Sequence, residues 1–119
     1  MLDNAPSWTE KICADLREPL PLRSGAYDLL LCTFVLLHFD SIETFLSETR
    51  RCIRSSGRML LVHHHERRPF VHELPEGAMK IKTRHRRDED LLEELHAAGW
   101  DVDVFPVDAV TNIYCCFPN

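Results

Sequence analysis

Residues 27–40, YDLLLCTFVLLHFD, are the stretch that decides the fold of this chain. An aromatic residue and an acid open it, an almost continuous apolar run follows, and a His and an Asp close it. An apolar run without polar alternation is typical of a strand that is covered on both faces, as in parallel sheets. The first expectation is therefore a buried strand of a parallel sheet.

A helix and a second strand follow this strand closely. Asp40 and Glu43 form a capping-box pattern, and apolar residues recur at helical spacing from 42 to 53. Gly57 is predicted to end the helix in a left-handed conformation. RMLLVHHH, residues 58–65, is typical of another buried strand. Strand, helix and strand joined by tight turns predict a right-handed crossover between parallel strands.

Local signals predict the remaining elements. KICADL, residues 11–16, indicates a short strand, and the basic, proline-containing residues 66–87 indicate a long irregular loop. A second helix is predicted over 88–99, with acids in its first turn and a glycine at its end. Residues 100–107 and 111–117 predict two strands that pair antiparallel.

Composition and charge limit the class of protein. The chain has 119 residues, 45% of them hydrophobic and 28% charged, as in a single soluble globular domain. The net charge of −5 is not that of a general nucleic-acid binder. Five cysteines without metal-type spacing suit a reducing, cytoplasmic compartment. The sequence shows no signal peptide and no apolar run of membrane-spanning length, so we expect no membrane partner.

Residues 13–62, CADLREPLPLRSGAYDLLLCTFVLLHFDSIETFLSETRRCIRSSGRMLLV, resemble the middle of class I S-adenosylmethionine-dependent methyltransferases of the small-molecule type. The shared pattern is an acid after one strand, an LP loop, an aromatic–Asp pair that opens the next strand, and a helix with Glu and Arg near its end. LLEELHAAGWDVDVFPV, residues 91–107, resembles their last helix and final hairpin. The resemblance implies an α/β fold: one domain over 1–119 with a truncated Rossmann-like sheet, mostly parallel with a C-terminal antiparallel hairpin.

The resemblance also implies a cofactor edge. S-adenosyl-L-methionine would lie beyond the carboxyl end of the opening strand, where such sheets bind ligands. Asp15 would accept from the adenine amino group, Leu16 would sit against the ring, and Thr33 and Phe34 would border the pocket. His38 falls on a His position of the family without a fixed role and is a substrate-side candidate. The residues alone also allow Asp15 to be a turn acid after a strand.

The chain departs from the family pattern in its glycines. All four are isolated, so no glycine-rich loop for the methionine carboxylate can be drawn, and family strands 1 and 2 are expected to be absent. Their absence would leave an apolar sheet edge. In the resemblance, residues 11–16 correspond to family strand 3 and the strand that opens at Tyr27 to family strand 4. Three arrangements are open: family strand 3 pairs directly with strand 4, another chain supplies the missing strands, or the first strand stays undocked and the remainder self-associates.

Two functional hypotheses follow from this departure. The first is a methyltransferase-like protein that is incomplete alone, either a remnant or one half of a composite enzyme. The alternative is a non-catalytic interaction module that binds a protein partner through its sheet edge and basic loop. Binding of S-adenosylmethionine or its demethylated product discriminates between them.

HHHE, residues 63–66, has several interpretations. Strand alternation places His63 and His65 on one face and His64 on the other. A His-x-His pair can chelate zinc, a strand end can line a substrate pocket, and polarity at a strand end needs neither. We predict no metal and keep His63 and His65 as substrate-side candidates. KIKTRHRR, residues 80–87, is a phosphate-binding strip or a solvated strip that pairs with the acids of the next helix; we favour the second.

Overall fold

The computed structural model of the chain describes residues 4–64, 70–74, 77–81 and 86–119. The strands in these ranges are β1 (Tyr27–Thr33), β2 (Ile53–His64), β3 (Phe70–Leu74), β4 (Gly77–Ile81), β5 (Trp100–Pro106) and β6 (Thr111–Pro118). The α-helices are α1 (Glu43–Cys52) and α2 (Asp88–Ala97). A single turn of 3-10 helix, Leu36–His38, lies between β1 and α1.

Four strands form one mixed sheet in the order β1-β2-β6-β5, and β3 pairs with β4 separately. β1 runs parallel to β2, with Leu31 opposite Leu60, and α1 connects the two. β6 is antiparallel to both β2 and β5. β1, β2 and β5 therefore point in the same direction. The predicted parallel crossover and the antiparallel C-terminal hairpin are both confirmed, and the fold is α/β.

One face of the sheet carries the hydrophobic core. Alternation along the strands places Cys32 of β1, Leu61 of β2 and Tyr114 of β6 on this face, and each is at most 6% exposed. Both helices pack there through apolar side chains, which are Phe45, Leu46, Leu91 and Leu95. Trp100 fills the space beside them and is fully buried. Removing this apolar surface from water is the main term that stabilises the fold.

The opposite face of the sheet is open. Leu29 and Leu31 of β1 are 60% and 66% exposed, and Phe105 of β5, on the same face, is 55% exposed. β1 is also an edge strand, because β2 is its only neighbour among the described strands. The expectation that β1 is covered on both faces is therefore wrong. Both described helices pack on the face that bears Cys32, and neither packs on the face that bears Leu31.

Residues 11–16 do not form the predicted strand. A strand needs a paired neighbour, and a cleft separates this segment from the edge of β1, with Leu16 on one wall and Leu31 on the other. Asp15 accepts a hydrogen bond from the backbone N–H of Arg17 at 2.9 Å, which closes a turn. Direct pairing of family strand 3 with strand 4 is therefore not what this chain does in the structure.

The start of α1 lies at Glu43 rather than at the predicted Asp40. Its N-cap residue is Ile42, which makes no side-chain capping hydrogen bond and is fully buried. The predicted capping box is therefore wrong. The helix therefore begins at a buried apolar residue and not at a polar cap.

Gly57 does not end α1 as predicted, because the helix ends at Cys52 and β2 starts at the next residue. Gly57 lies instead in the part of β2 where the register with β1 shifts. A Cβ atom at this position would stand 2.5 Å from Ile53 Cγ2 and 2.9 Å from the carbonyl oxygen of Asp28. The position requires glycine for close approach between the strands and not for a left-handed φ.

The connection over 66–87 contains regular structure that the sequence did not predict. β3 and β4 form an antiparallel hairpin with Leu74 opposite Gly77. α2 starts at Asp88 as predicted, and Gly99 follows it with a φ of +95°, the left-handed conformation that ends a helix. Within the described ranges, no helix has the length and apolar character needed to cross a membrane.

Candidate functional site

A cleft of about 490 Å³ lies between the edge of β1 and the segment that precedes this strand. Leu16 and Leu20 line it from the segment, and Leu31, Thr33 and Val35 line it from β1 and the loop that follows. Ligand sites in proteins are concave and mostly apolar, with a few polar groups that fix orientation. The lining of this cleft suits a flat, apolar group such as a ring.

Two side chains of α1 hold the segment that forms the outer wall of the cleft. Glu48 accepts a hydrogen bond from the backbone N–H of Leu20 at 2.7 Å. Arg51 donates to the carbonyls of Leu20 at 3.0 Å and Leu22 at 2.8 Å. Arg51 also pairs with Glu48 at 2.7 Å, and this hydrogen bond lowers the pKa of Glu48. Charge-assisted hydrogen bonds thus fix a wall that has no secondary structure of its own.

Leu16 and Thr33, two of the residues predicted for the cofactor, line this cleft. Asp15 lies beside it, since its neighbours Ala14 and Leu16 are both lining residues. The Asp15 carboxylate accepts from Arg17 Nε at 3.0 Å and Nη2 at 2.9 Å. These hydrogen bonds lower the pKa of Asp15 to about 2, so this carboxylate is ionised at neutral pH. Arg17 thus holds an acceptor next to the cleft.

Phe34 lies just beyond the cleft, where β1 ends. Its φ of +55° is left-handed, which is uncommon for a residue with a side chain, and its N–H donates to the Val62 carbonyl at 2.9 Å. Its ring lies 4.7 Å from the ring of His64, centroid to centroid. His64 Nδ1 lies 3.4 Å from Thr111 Oγ1. Sequence reasoning placed His64 on the face opposite His63 and gave it no role.

The predicted substrate-side histidines occupy different environments. His63 is 1% exposed and lies opposite Asn112 on the buried face of the sheet. His38 is exposed at the end of the 3-10 helix. His65 lies outside the described residues. In the part of the chain that the structure describes, no group of three or more His, Cys, Asp or Glu side chains is placed to hold a metal ion.

A partly buried polar network joins α2 to the sheet, and the sequence did not predict it. The Tyr114 hydroxyl donates to Asp88 Oδ1, and Asn112 Nδ2 donates to the same oxygen at 3.1 Å. Burial, reinforced by the bond to Asp88, raises the pKa of Tyr114 above its ordinary value. The spacing of Asn112 and Tyr114 places both on one face of a strand, and this was the only signal in the sequence.

Arg86 is predicted in a solvated basic strip, but it is only 4% exposed. Its guanidinium donates to carbonyls of the loop after β1, and its Nε lies 3.4 Å from the Glu94 carboxylate. Arg87 pairs with Asp90 at 3.2 Å. The expectation that this strip pairs with the acids of α2 is therefore confirmed for these two arginines, whereas the expected solvation of Arg86 is wrong.

The chain is similar to known proteins over most of its length. A family model described as a methyltransferase domain matches residues 1–61. The uncharacterized methyltransferase YcgJ of Bacillus subtilis (strain 168) is 27% identical over 78 residues, which are 64% of this chain and 31% of YcgJ. The PH0226 protein from Pyrococcus horikoshii OT3 superposes with a TM-score of 0.79 at 14% identity, over 95% of this chain and 61% of that one.

The DhpI–SAH complex superposes with a TM-score of 0.67 at 21% identity, over 87% of this chain and 52% of DhpI. These superpositions show a shared fold. The chain spans 31% of YcgJ and between 52% and 61% of the two solved chains. Because the family model matches more than half of the residues, this chain belongs to the methyltransferase-domain family.

Proposed function

We propose that this chain supplies the adenine side of an S-adenosyl-L-methionine cleft in a methyltransferase whose remaining strands come from a second polypeptide segment. The observation that carries the proposal is the apolar cleft beside β1, with Leu16 and Thr33 on its walls and the ionised Asp15 next to it. Adenine is flat, has apolar faces and carries an amino group that donates hydrogen bonds. Leu16 would lie against the ring, and Asp15 would accept from the amino group.

The described residues fit one part of this cofactor. The cleft of about 490 Å³ is large enough for a nucleoside and is lined mainly by apolar side chains. The four glycines of the chain are isolated, so its sequence offers no glycine-rich turn to bind the methionine carboxylate. We therefore assign that group to the second segment.

The share of catalysis that this chain would contribute is positioning. When bound, the cofactor supplies an electrophilic methyl group. Leu16, Thr33 and Asp15 would hold the nucleoside end and so fix where the methyl group points. Holding the reactants in line converts a reaction between two molecules in solution into a reaction within one complex. This positioning lowers the activation free energy of such transfers substantially.

A second candidate function is a non-catalytic interaction module. A methyltransferase remnant that no longer binds the cofactor would look the same. The exposed side chains of Leu29, Leu31 and Phe105 on one face of the sheet favour it. β1 at the edge also presents unpaired backbone groups, which another strand can pair with. A protein partner or a second copy of the chain would cover this surface.

We further infer that the chain works in a reducing compartment, the cytoplasm. All five cysteines are free thiols, and Cys32, Cys52 and Cys116 are buried. Buried thiols of this kind act as small apolar side chains, and they persist unpaired where disulfides are kept reduced.

Isothermal titration with S-adenosylhomocysteine tests the main proposal. The ligand is titrated into the chain alone and into the chain co-expressed with the part of YcgJ that the chain does not match. We expect binding in the second case, and loss of binding in Thr33→Trp, which places a large ring in the cleft. Thr44→Trp is the matched control, because Thr44 is exposed on α1 and does not line the cleft. Absence of binding in both samples would overturn the proposal and leave the interaction module.

A further inference from the structure

The buried Arg86 side chain lies under the loop that follows β1, residues 34–42. Nη1 donates to the carbonyl of Leu36 at 2.8 Å, and Nη2 donates to the carbonyls of Phe39 at 2.9 Å and Asp40 at 3.1 Å. All three acceptors are backbone oxygens of one short loop. A planar guanidinium with several donors in a fixed fork can satisfy them together, whereas a lysine ammonium is a single point.

This loop is also the one that closes the inner wall of the cleft. Phe34 leaves β1 with a left-handed φ, Val35 lines the cleft, and Leu36 and Phe39 are buried in the core. Its internal backbone hydrogen bonds form one short turn, from the N–H of His38 to Val35 and from the N–H of Phe39 to Leu36. So short a turn has little stability of its own, and contacts from outside must hold its shape.

The position of Arg86 is itself fixed by the sheet. It stands two residues before Asp88, the first residue of α2, which accepts hydrogen bonds from Asn112 and Tyr114 of β6. Glu94, six residues further along α2, pairs with the Arg86 guanidinium at 3.4 Å. A continuous set of contacts thus runs from β6 through the start of α2 to the loop beside the cleft.

We propose that Arg86 is a positioning residue that holds the loop after β1 in the shape the cleft needs to bind its ligand. The ligand is the nucleoside of the proposed function, and this half of the inference rests on that function. The other half does not: Arg86 fixes the loop whether or not the nucleoside binds. Arg86 is not among the residues that line the cleft, so it acts on the ligand through the loop, by way of Val35.

Hydrogen exchange of the full chain, measured by mass spectrometry, directly tests whether Arg86 fixes the loop. In Arg86→Lys we expect the amides of His38 and Phe39 to exchange about tenfold faster, because the loop loses buried hydrogen bonds to a charged group. Arg87→Lys is the matched control: Arg87 is the exposed neighbour with the same charge, and its side chain pairs only within α2 among the described contacts. Wild-type exchange rates in Arg86→Lys would overturn the proposal.

Chemical rescue separates positioning from general loss of stability. In Arg86→Ala, millimolar guanidinium ion is expected to restore protection of Phe39, whereas ammonium ion is not, since only guanidinium reproduces the fork. General destabilisation would predict the opposite, because guanidinium weakens folded proteins. If Arg86→Ala does not fold, Arg86→Lys decides the question alone.

The effect of Arg86 on ligand binding is tested by titrating S-adenosylhomocysteine into the same variants, each co-expressed with the part of YcgJ that the chain does not match. We expect the dissociation constant to rise at least several-fold in Arg86→Lys and to stay unchanged in Arg87→Lys. Equal effects in the two variants would overturn the role in binding. If even the wild-type complex fails to bind, the proposed function fails, and the exchange rates still show whether Arg86 holds the loop.

Discussion

At the scale of single residues, the thiol of Cys32 shows how burial becomes a dependence on pH. Cys32 is 6% exposed on the core face of β1, and desolvation raises its pKa from 9.0 to about 11. The pKa in the folded chain thus lies above that in the unfolded chain. The stabilising contribution is fully present below pH 9.0 and is lost as the pH rises through about 11.

We expect the free energy of unfolding of the native chain to fall by about 1 kcal/mol more than that of Cys32→Ala between pH ~8 and ~10. Urea titrations at several pH values measure this difference. Cys116, whose pKa is raised in the same direction to about 12, is present in both proteins and cancels in the comparison. Cys13→Ala is the control, because that thiol is exposed in the folded chain as well. Parallel curves for the native chain and Cys32→Ala would contradict the prediction.

Residues near strand ends were easier to place from the sequence than residues in long-range contacts. The end of a strand follows from local pattern, so Thr33 and Phe34 could be assigned to the carboxyl end of β1. The burial of Arg86 depends on carbonyls about fifty positions earlier in the chain, and a run of basic residues carries no sign of that contact. The network of Asp88 with Tyr114 escaped prediction for the same reason.

At the scale of elements, the crossover of β1, α1 and β2 was predictable because apolar periodicity and chain length define it. Its internal boundaries were not. Gly57 was interpreted through φ, as glycines near helix ends usually are, but here the absence of a side chain allows β2 to pass close to the Asp28 carbonyl. The lack of room for a side chain at Gly57 becomes visible only when β1 is paired with β2, and a single sequence does not show which residues of two strands lie opposite each other.

Gly57→Ala is therefore expected to destabilise the chain by about 1–3 kcal/mol, as overpacking does in a close-packed interior. The added Cβ would stand 2.9 Å from the Asp28 carbonyl oxygen, a backbone atom that cannot move aside without shifting β1. Gly25→Ala is the comparison: a Cβ there meets nothing within 4 Å, and only its φ of +61° opposes the change, at a cost of about 1–2 kcal/mol. Denaturant midpoints measure both. A shift of the contacts between β1 and β2, seen in amide exchange, should occur in Gly57→Ala and not in Gly25→Ala.

At the scale of the whole molecule, the sheet has a covered face and an open face. A compact chain of 119 residues is expected to have a radius of gyration of about 13.5 Å. The radius of gyration of this chain is 15.4 Å, so it is less compact than that expectation. The chain also spans 31% of YcgJ and 52% of DhpI. What covers the open face does not follow from the sequence of this chain.

We expect Leu31→Lys to weaken the proposed association of the chain, with itself or with a protein partner, by about tenfold while leaving the free energy of unfolding nearly unchanged. Leu31 is 66% exposed on an edge strand, and a charged side chain there opposes strand pairing and apolar contact. Sedimentation of the purified chain over a range of concentrations measures self-association. Val107→Lys is the control, because Val107 is similarly exposed at 58% but lies outside the strands. A Leu31→Lys protein that associates like the native chain would contradict the prediction.

β6 comes last among the strands along the chain, yet it lies in the interior of the sheet, between β2 and β5. Within the described sheet, β5 has no other neighbour. During synthesis on the ribosome, β2 must therefore wait with one ladder of backbone groups unsatisfied until residues 111–118 have emerged. Without residues 111–118, no described strand would join β2 to β5, so this segment is a condition for completing the sheet.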